Sequence, residues 1–238
     1  MTCTGNNMPR HNDALVVIPA YNEAATIGAI IRRALPYADV CVVNDASRDD
    51  TENIVKSFEN VACLTHAQNT HIPQTLKDGM QYGVSHGYRY IVTMDAGLTH
   101  KPEELPRFLE CPDCDLVLGV RTERQNVPLF RKILSRTATL LLNLSLKPWG
   151  GNLPRPRFHD ATSGYRRYSQ RAAQLLLNRP MKARTFDFHT EALMLVYRNG
   201  LSIQEVPISY DFSNSSFNYK VLMNGIRMFL DIAFTNRK

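Results

Sequence analysis

A chain of 238 residues that is 44% hydrophobic and 21% charged has the composition of an ordinary globular protein, long enough to bury a sizeable core in one large domain. Its formal charge of +6 favours an anionic partner such as a nucleotide, a phosphate or an anionic membrane surface. The lack of a Lys/Arg tract with interleaved aromatics argues against nucleic acid. Five cysteines, odd in number and scattered, do not make a disulfide framework and suggest a reducing, cytoplasmic compartment.

Residues 1–12 read as a flexible N-terminus and 13–238 as one domain. Met1 to Asp13 is polar and lacks the apolar core of a signal peptide, and no later segment approaches the roughly 20 apolar residues needed to span a bilayer. The chain is therefore expected to be soluble or peripheral. Ala14–Ile18 reads as a short buried strand, followed by a helical pattern from Asn22 to Ala34. Asp39–Val43 is a second strand, Ser47 or Asp49 caps a helix to about Phe58, and Val61–Thr65 is a third strand. A helix over Gln74–His86 precedes the strand Tyr88–Met94, which delivers Asp95 at its end. Such alternation predicts an α/β fold with a mostly parallel sheet and helices on both faces.

A short helix follows Pro102, and Cys111-Pro112-Asp113-Cys114, with no second pair beside it, reads as a loop with two incidental thiols rather than a zinc site. Asp115–Gly119 is the next strand and Pro128–Leu144 a long helix. Lys147–His159, with three prolines and two adjacent glycines, reads as a surface loop that suits a mobile lid or a plain excursion. Gln170–Leu177 and Phe188–Arg198 are expected helices, Ser202–Val206 a strand. The amphipathic run Val221 to Phe234 either packs on the domain or lies on a membrane.

Strand ends carry the chemistry. Pro19-Ala20-Tyr21-Asn22-Glu23 follows the first strand, where backbone groups and an aromatic ring can line a nucleotide crevice; alone, it is also what a turn with a helix cap gives. Asn44-Asp45-Ala46-Ser47 ends the second strand at the same sheet edge, the geometry for holding base and ribose. Asp95-Ala96-Gly97 adds a carboxylate able to take a divalent cation that bridges diphosphate oxygens.

Together these stretches resemble the nucleotide-sugar domain of family 2 glycosyltransferases, and Met94-Asp95-Ala96-Gly97-Leu98-Thr99-His100-Lys101-Pro102 is similar to the Asp-Ala-Asp-Leu-Ser-His-X-Pro signature of dolichyl-phosphate mannose synthases. Gly119-Val120-Arg121, Arg131 to Arg136, Asp160 to Arg166, Phe188-His189-Thr190-Glu191 and Glu205-Val206-Pro207-Ile208 follow in that family's order. The resemblance implies a GT-A-type nucleotide-sugar fold. It implies that Pro19, Ala20, Tyr21, Glu23, Asn44, Asp45 and Ala96 line the donor pocket, with Asp45 accepting from a base ring N–H. Asp95 then holds Mg or Mn and the diphosphate. Arg121, Arg131 and Ser135 match positions that bind an acceptor phosphate, and Asp160 and Glu191 match acids near the sugar and acceptor.

Departures from that pattern matter. Gly97 stands where the family has its second acid, so metal affinity should fall, with water, the donor diphosphate, Thr99 or His100 left to complete the shell. Asn44 replaces another acid. Asn69 to Gln74 lacks the usual glycines, and Ser213 falls where an arginine is expected, a charge that Lys220, Arg155 or Arg157 would have to replace. The expected activity is inverting transfer of a mannose-like or glucose-like sugar from a nucleotide donor to a polyprenyl phosphate at the cytoplasmic membrane face. The alternatives are a glycan or small-molecule hydroxyl acceptor, for which Asp160 or Glu191 would be the base, and a weakened nucleotide-sugar-binding regulator.

Overall fold

The computed structural model describes residues 13–146, 157–183 and 187–212. Its strands are β1 (Ala14–Ala20), β2 (Asp39–Asn44), β3 (Val61–Thr65), β4 (Tyr90–Thr93), β5 (Leu116–Gln125), β6 (Arg166–Ser169) and β7 (Ile203–Asp211). They form a single sheet in the order β3-β2-β1-β4-β6-β5-β7. β6 runs antiparallel to both its neighbours, and every other pairing is parallel.

Alternation along the strands sorts the side chains into two cores. Leu15, Val17, Cys41, Val43 and Ile91 face one side, against α3 (His71–Ser85), α5 (Leu129–Ser145), α6 (Gln170–Leu177) and α7 (Phe188–Arg198). Val16, Ile18, Val40, Val42 and Val92 face the other, against α1 (Ile27–Ala34), α2 (Thr51–Lys56) and α4 (Leu105–Leu109). Strands buried on both faces read as continuous apolar runs, which is why β1 and β2 are so evident in the sequence. Helix α3 lies closest to the sheet, because a Cβ on Gly79 would stand 2.2 Å from Val17 Cγ1 and one on Gly83 2.8 Å from Ile91; only glycine allows that approach.

Arg166-Arg167-Tyr168-Ser169, a stretch with no apolar run, forms the antiparallel strand β6. Both arginines are fully buried, and backbone carbonyls take most of their donors: Arg166 donates to Ser163 O (2.7 Å) and Ala161 O (2.8 Å), and Arg167 to Phe108 O (2.7 Å) and Cys111 O (3.0 Å), with Arg167 Nε left unpartnered among the described residues. Helix α3 begins at His71 rather than Gln74. Its first N–H groups are capped by Asp45, a carboxylate on another strand end that no local sequence pattern reveals.

The N-terminal residues 1–12, most of the Lys147–His159 loop, Ser213 and the amphipathic run 221–234 lie outside the described residues. Among the described residues no helix is long and apolar enough to cross a membrane.

Candidate active site

Parallel register brings the carboxyl ends of the central strands to one edge: Ala20 pairs with Asn44, and Val17 with Thr93, two residues before Asp95. Backbone strain collects along the same edge. Among the described residues the non-glycine residues with positive φ are Asn22 (57°), Ala46 (59°), His71 (67°), Leu98 (58°) and Asn126 (54°), each in the connection that leaves one of the strands β1 to β5. A left-handed backbone costs on the order of 1–3 kcal/mol per residue and persists where surrounding contacts fix it, commonly at ligand sites. His71 takes the left-handed turn with which the glycines missing from Asn69 to Gln74 would otherwise be credited.

The first two connections are zipped together. Asn22 N donates to Ser47 Oγ (2.9 Å), Glu23 N to Thr51 Oγ1 (2.8 Å), Ala24 N to Asp49 Oδ2 (3.0 Å), and Arg48 N to Asn22 Oδ1 (2.8 Å). Pro19 and Ala20 end β1 beneath this zipper, and Tyr21 stands 45% exposed on its rim. Asn44 is fully buried; its amide oxygen accepts from Ser47 N at 3.2 Å, so it shapes the loop. Asp45, also buried, accepts from Thr70 N (2.7 Å), Thr70 Oγ1 (2.9 Å) and His71 N (2.9 Å), with His66 Nδ1 2.8 Å away. Burial opposes its charge, but these hydrogen bonds prevail and hold the carboxyl below its ordinary range.

Asp95 lies beyond β4 with its side chain 35% exposed. Its N–H donates to His100 Nδ1 at 3.2 Å, which makes that nitrogen an acceptor in a ring stacked on Tyr165. His100 therefore props the loop from beneath, and burial keeps it neutral by lowering its pKa. Thr99 Oγ1 lies 3.5 Å from Asp95 Oδ2. Ala96 is buried against the core. Burial raises the Glu23 carboxyl pKa, a hydrogen bond from Thr26 opposes the rise, and the charges of Asp95 and Asp49 add to it. Glu23 and Asp95 follow β1 and β4, neighbouring parallel strands of the sheet.

Arg121, Ser135 and Asp160 meet in a second cluster. Arg121 Nε and Nη2 grip the two oxygens of the fully buried Asp160 at 2.7 Å each. Nη2 also reaches Ser135 Oγ at 3.1 Å and Thr162 Oγ1, and the guanidinium lies over Tyr210. Ser135 and Thr162 hydroxyls are 2.9 Å apart. Asp160, expected near the sugar, is consumed by the arginine expected to bind phosphate; Thr162 and Tyr210 were not singled out, because their roles depend on that pairing. Gly164, two residues after Thr162, comes close to Asp95, whose Oδ1 would lie 3.3 Å from a Cβ there, so the two clusters adjoin. Arg131 is on α5, with its side chain outside the described residues. Glu191, in the first turn of α7, accepts from Lys182 N (2.9 Å) and Ala183 N (2.7 Å) and pins the segment before that helix.

Among the described residues no three His, Cys, Asp or Glu side chains stand together as a metal-holding group. Two donors do converge. A Cβ on Gly164 would lie 3.0 Å from His189 Nε2 and 3.3 Å from Asp95 Oδ1, so the glycine leaves a cradle between an imidazole and a carboxylate. One carboxylate, one imidazole, diphosphate oxygens and water make a chemically reasonable shell for a divalent cation.

Comparison with known proteins agrees with this geometry. Residues 15–176 match Glycosyl transferase family 2. The chain is 32% identical over 212 residues to undecaprenyl-phosphate mannosyltransferase of Micrococcus luteus, covering 82% of each. It is 30% identical to polyprenol monophosphomannose synthase of Mycolicibacterium smegmatis, covering 82% of this chain and 76% of that one. In fold it is similar to glucosyl-3-phosphoglycerate synthase of Mycobacterium tuberculosis, solved with Mn2+, UDP and glucosyl-3-phosphoglycerate, with a TM-score of 0.69 at 18% identity over 93% of this chain and 78% of that chain. The fold is thus of the GT-A type, and the chain belongs to glycosyl transferase family 2.

Proposed function

We propose that this chain is an inverting transferase that moves a mannose-like or glucose-like sugar from a nucleoside diphosphate to a polyprenyl phosphate, working peripherally at the cytoplasmic membrane face. One observation carries the acceptor assignment: the Arg121, Ser135 and Thr162 cluster takes Ser135 from α5, a helix whose outer side is lipid-like. Leu129, Phe130, Ile133, Leu140 and Leu144 on α5 are all exposed. The same helix carries Arg131, Lys132 and Arg136 and no acidic residue, a combination that suits an anionic membrane surface. A polar phosphate subsite thus borders an apolar face able to meet an isoprenoid tail. The curated relatives named for undecaprenyl-phosphate and polyprenol acceptors support the same reading.

Charge supports phosphate over hydroxyl. In the proposed reaction an acceptor oxygen attacks the anomeric carbon as the bond to the donor diphosphate breaks on the opposite face. A phosphate acceptor is ionised at neutral pH and needs no base, whereas a hydroxyl needs one within about 3 Å of its proton. Asp160, held on both oxygens by Arg121, is poorly placed for that duty.

On the donor side, the zipped β1 and β2 loops offer Tyr21 and Asp45 to the base and ribose, and Asp95 lies where diphosphate would sit. A bound Mg or Mn would neutralise charge developing on the leaving diphosphate. His100 fixes the Asp95 backbone, and the buried loop around Ala96 keeps water from that side.

The test is transfer from labelled UDP- and GDP-sugars, with Mg2+ or Mn2+, to polyprenyl phosphate in anionic vesicles. Labelled lipid phosphate is expected, with Ile133→Asp reducing both vesicle binding and turnover. Transfer confined to soluble hydroxyl acceptors would overturn the lipid assignment. Nucleotide binding with no turnover on any acceptor would favour the regulator instead.

A further inference from the structure

We infer that His189 supplies a protein ligand of the donor-site cation, a nitrogen on α7 standing in for the acid that the β4 loop lacks at Gly97. The inference rests on the reading of Asp95 as cation ligand and extends it to a distant part of the chain. The His189 imidazole is 3% exposed, and no described residue hydrogen-bonds its ring, with Nδ1 enclosed and unpartnered. Nε2 is therefore the nitrogen left for a ligand, while Nδ1 would carry the ring proton and gains no partner from a cation on Nε2.

Nε2 points at the gap over Gly164, 3.0 Å from where a Cβ would stand, and Asp95 Oδ1 faces the same point from the other side at 3.3 Å. Asp95 Oδ2 is turned toward Thr99 and His100, which leaves Oδ1 as the atom presented to the gap. The glycine is what keeps the cradle open, and Thr93 Oγ1, donating to Gly164 O at 2.7 Å, fixes it against β4. Two such atoms, one nitrogen and one oxygen, call for a cation that accepts both. Mn2+ tolerates an imidazole beside carboxylate and diphosphate oxygens, whereas Mg2+ prefers an all-oxygen octahedron.

The experiment is Mn2+ binding to the full chain by electron paramagnetic resonance, with UDP or GDP present and Mg2+ as competitor. Wild type should bind one Mn2+ and prefer it to Mg2+. His189→Gln should weaken Mn2+ by about tenfold or more and erode that preference, while the metal-free melting temperature stays within a few degrees. Gly164→Ala fills the cradle while leaving both donor residues in the chain and should weaken Mn2+ in the same direction; it carries the test if the buried histidine variant fails to fold. Wild-type binding retained in both variants but lost in Asp95→Asn would overturn the role of His189 and leave Asp95 as ligand. No Mn2+ binding by wild type with either nucleotide would overturn both.

Discussion

His66 Nδ1 lies 2.8 Å from Asp45 Oδ1, and its other ring nitrogen lies 3.1 Å from Asp78 Oδ2, so one buried imidazole stands between the end of β2 and helix α3. Asp45 is thereby fixed from several sides before any base arrives, because Thr70 and His71 donate to it as well. Preorganised acceptors of this kind lose little entropy when a ligand binds.

The same bonds make Asp45 a pH-dependent strut. Its pKa is depressed in the folded chain, so its stabilisation is present above the unfolded value of about 3.9 and is lost as pH falls through the folded value. Asp45→Asn should cost about 1–3 kcal/mol at pH 7, and the difference from wild type should shrink below about pH 4. Urea melts across that range provide the measurement; a gap that stays constant with pH would mean the carboxylate charge is not what the loop uses.

Arg121 and Asp160 should behave as one unit. Asp160 has no exposed surface, so Arg121→Ala leaves a buried carboxylate without its partner, a loss of about 3–5 kcal/mol. The double variant with Asp160→Ala should lose less than the sum of the single variants. Ser135→Ala leaves the ion pair intact and therefore isolates acceptor binding: KM for lipid phosphate should rise while donor KM stays put. Equal rises in both would remove Ser135 from the acceptor subsite.

Much of this architecture is legible in the chain, and the illegible parts share a cause. β1, β2 and β4 announce themselves because both their faces are buried, and Asp45 and Asp95 stand out as acids directly after such runs. β6 stays hidden because its buried arginines donate to the carbonyls of Phe108, Cys111, Ala161 and Ser163, contacts that only the folded chain creates. Arg121 and Asp160 could be read as separate functional charges, but not as each other's partner across 39 residues. His189 and Gly164 fall within stretches that follow the family's order, but neither stretch tells in which direction Nε2 points or that the two residues face each other across a gap.

Asp95→Asn keeps the size of a side chain that is one third exposed, so folding should survive while chemistry does not. Turnover should fall by at least about a hundredfold, the scale for losing one electrostatic group at a reacting centre. Steady-state rates on a labelled donor, with melting temperatures as control, decide this, and an unimpaired rate would remove Asp95 from the mechanism.

Gly97→Asp restores the acid that the β4 loop lacks, and its consequences run in opposite directions with and without cation. Gly97 is not among the residues with positive φ, so an aspartate meets no left-handed strain there. It does add a third carboxylate to a crevice where Asp95 already raises the pKa of Glu23, and like charges in a partly buried site repel. Without metal the variant should therefore melt several degrees below wild type. Saturating Mn2+ with nucleoside diphosphate should more than restore it, because a ligand that binds only the folded state stabilises by mass action. Mg2+ should gain most, since a second carboxylate supplies the oxygen ligand that a mixed nitrogen and oxygen pair withholds. Melting curves with each ion separate the possibilities: a variant whose midpoint responds to Mg2+ no more than wild type would mean that residue 97 does not face the cation.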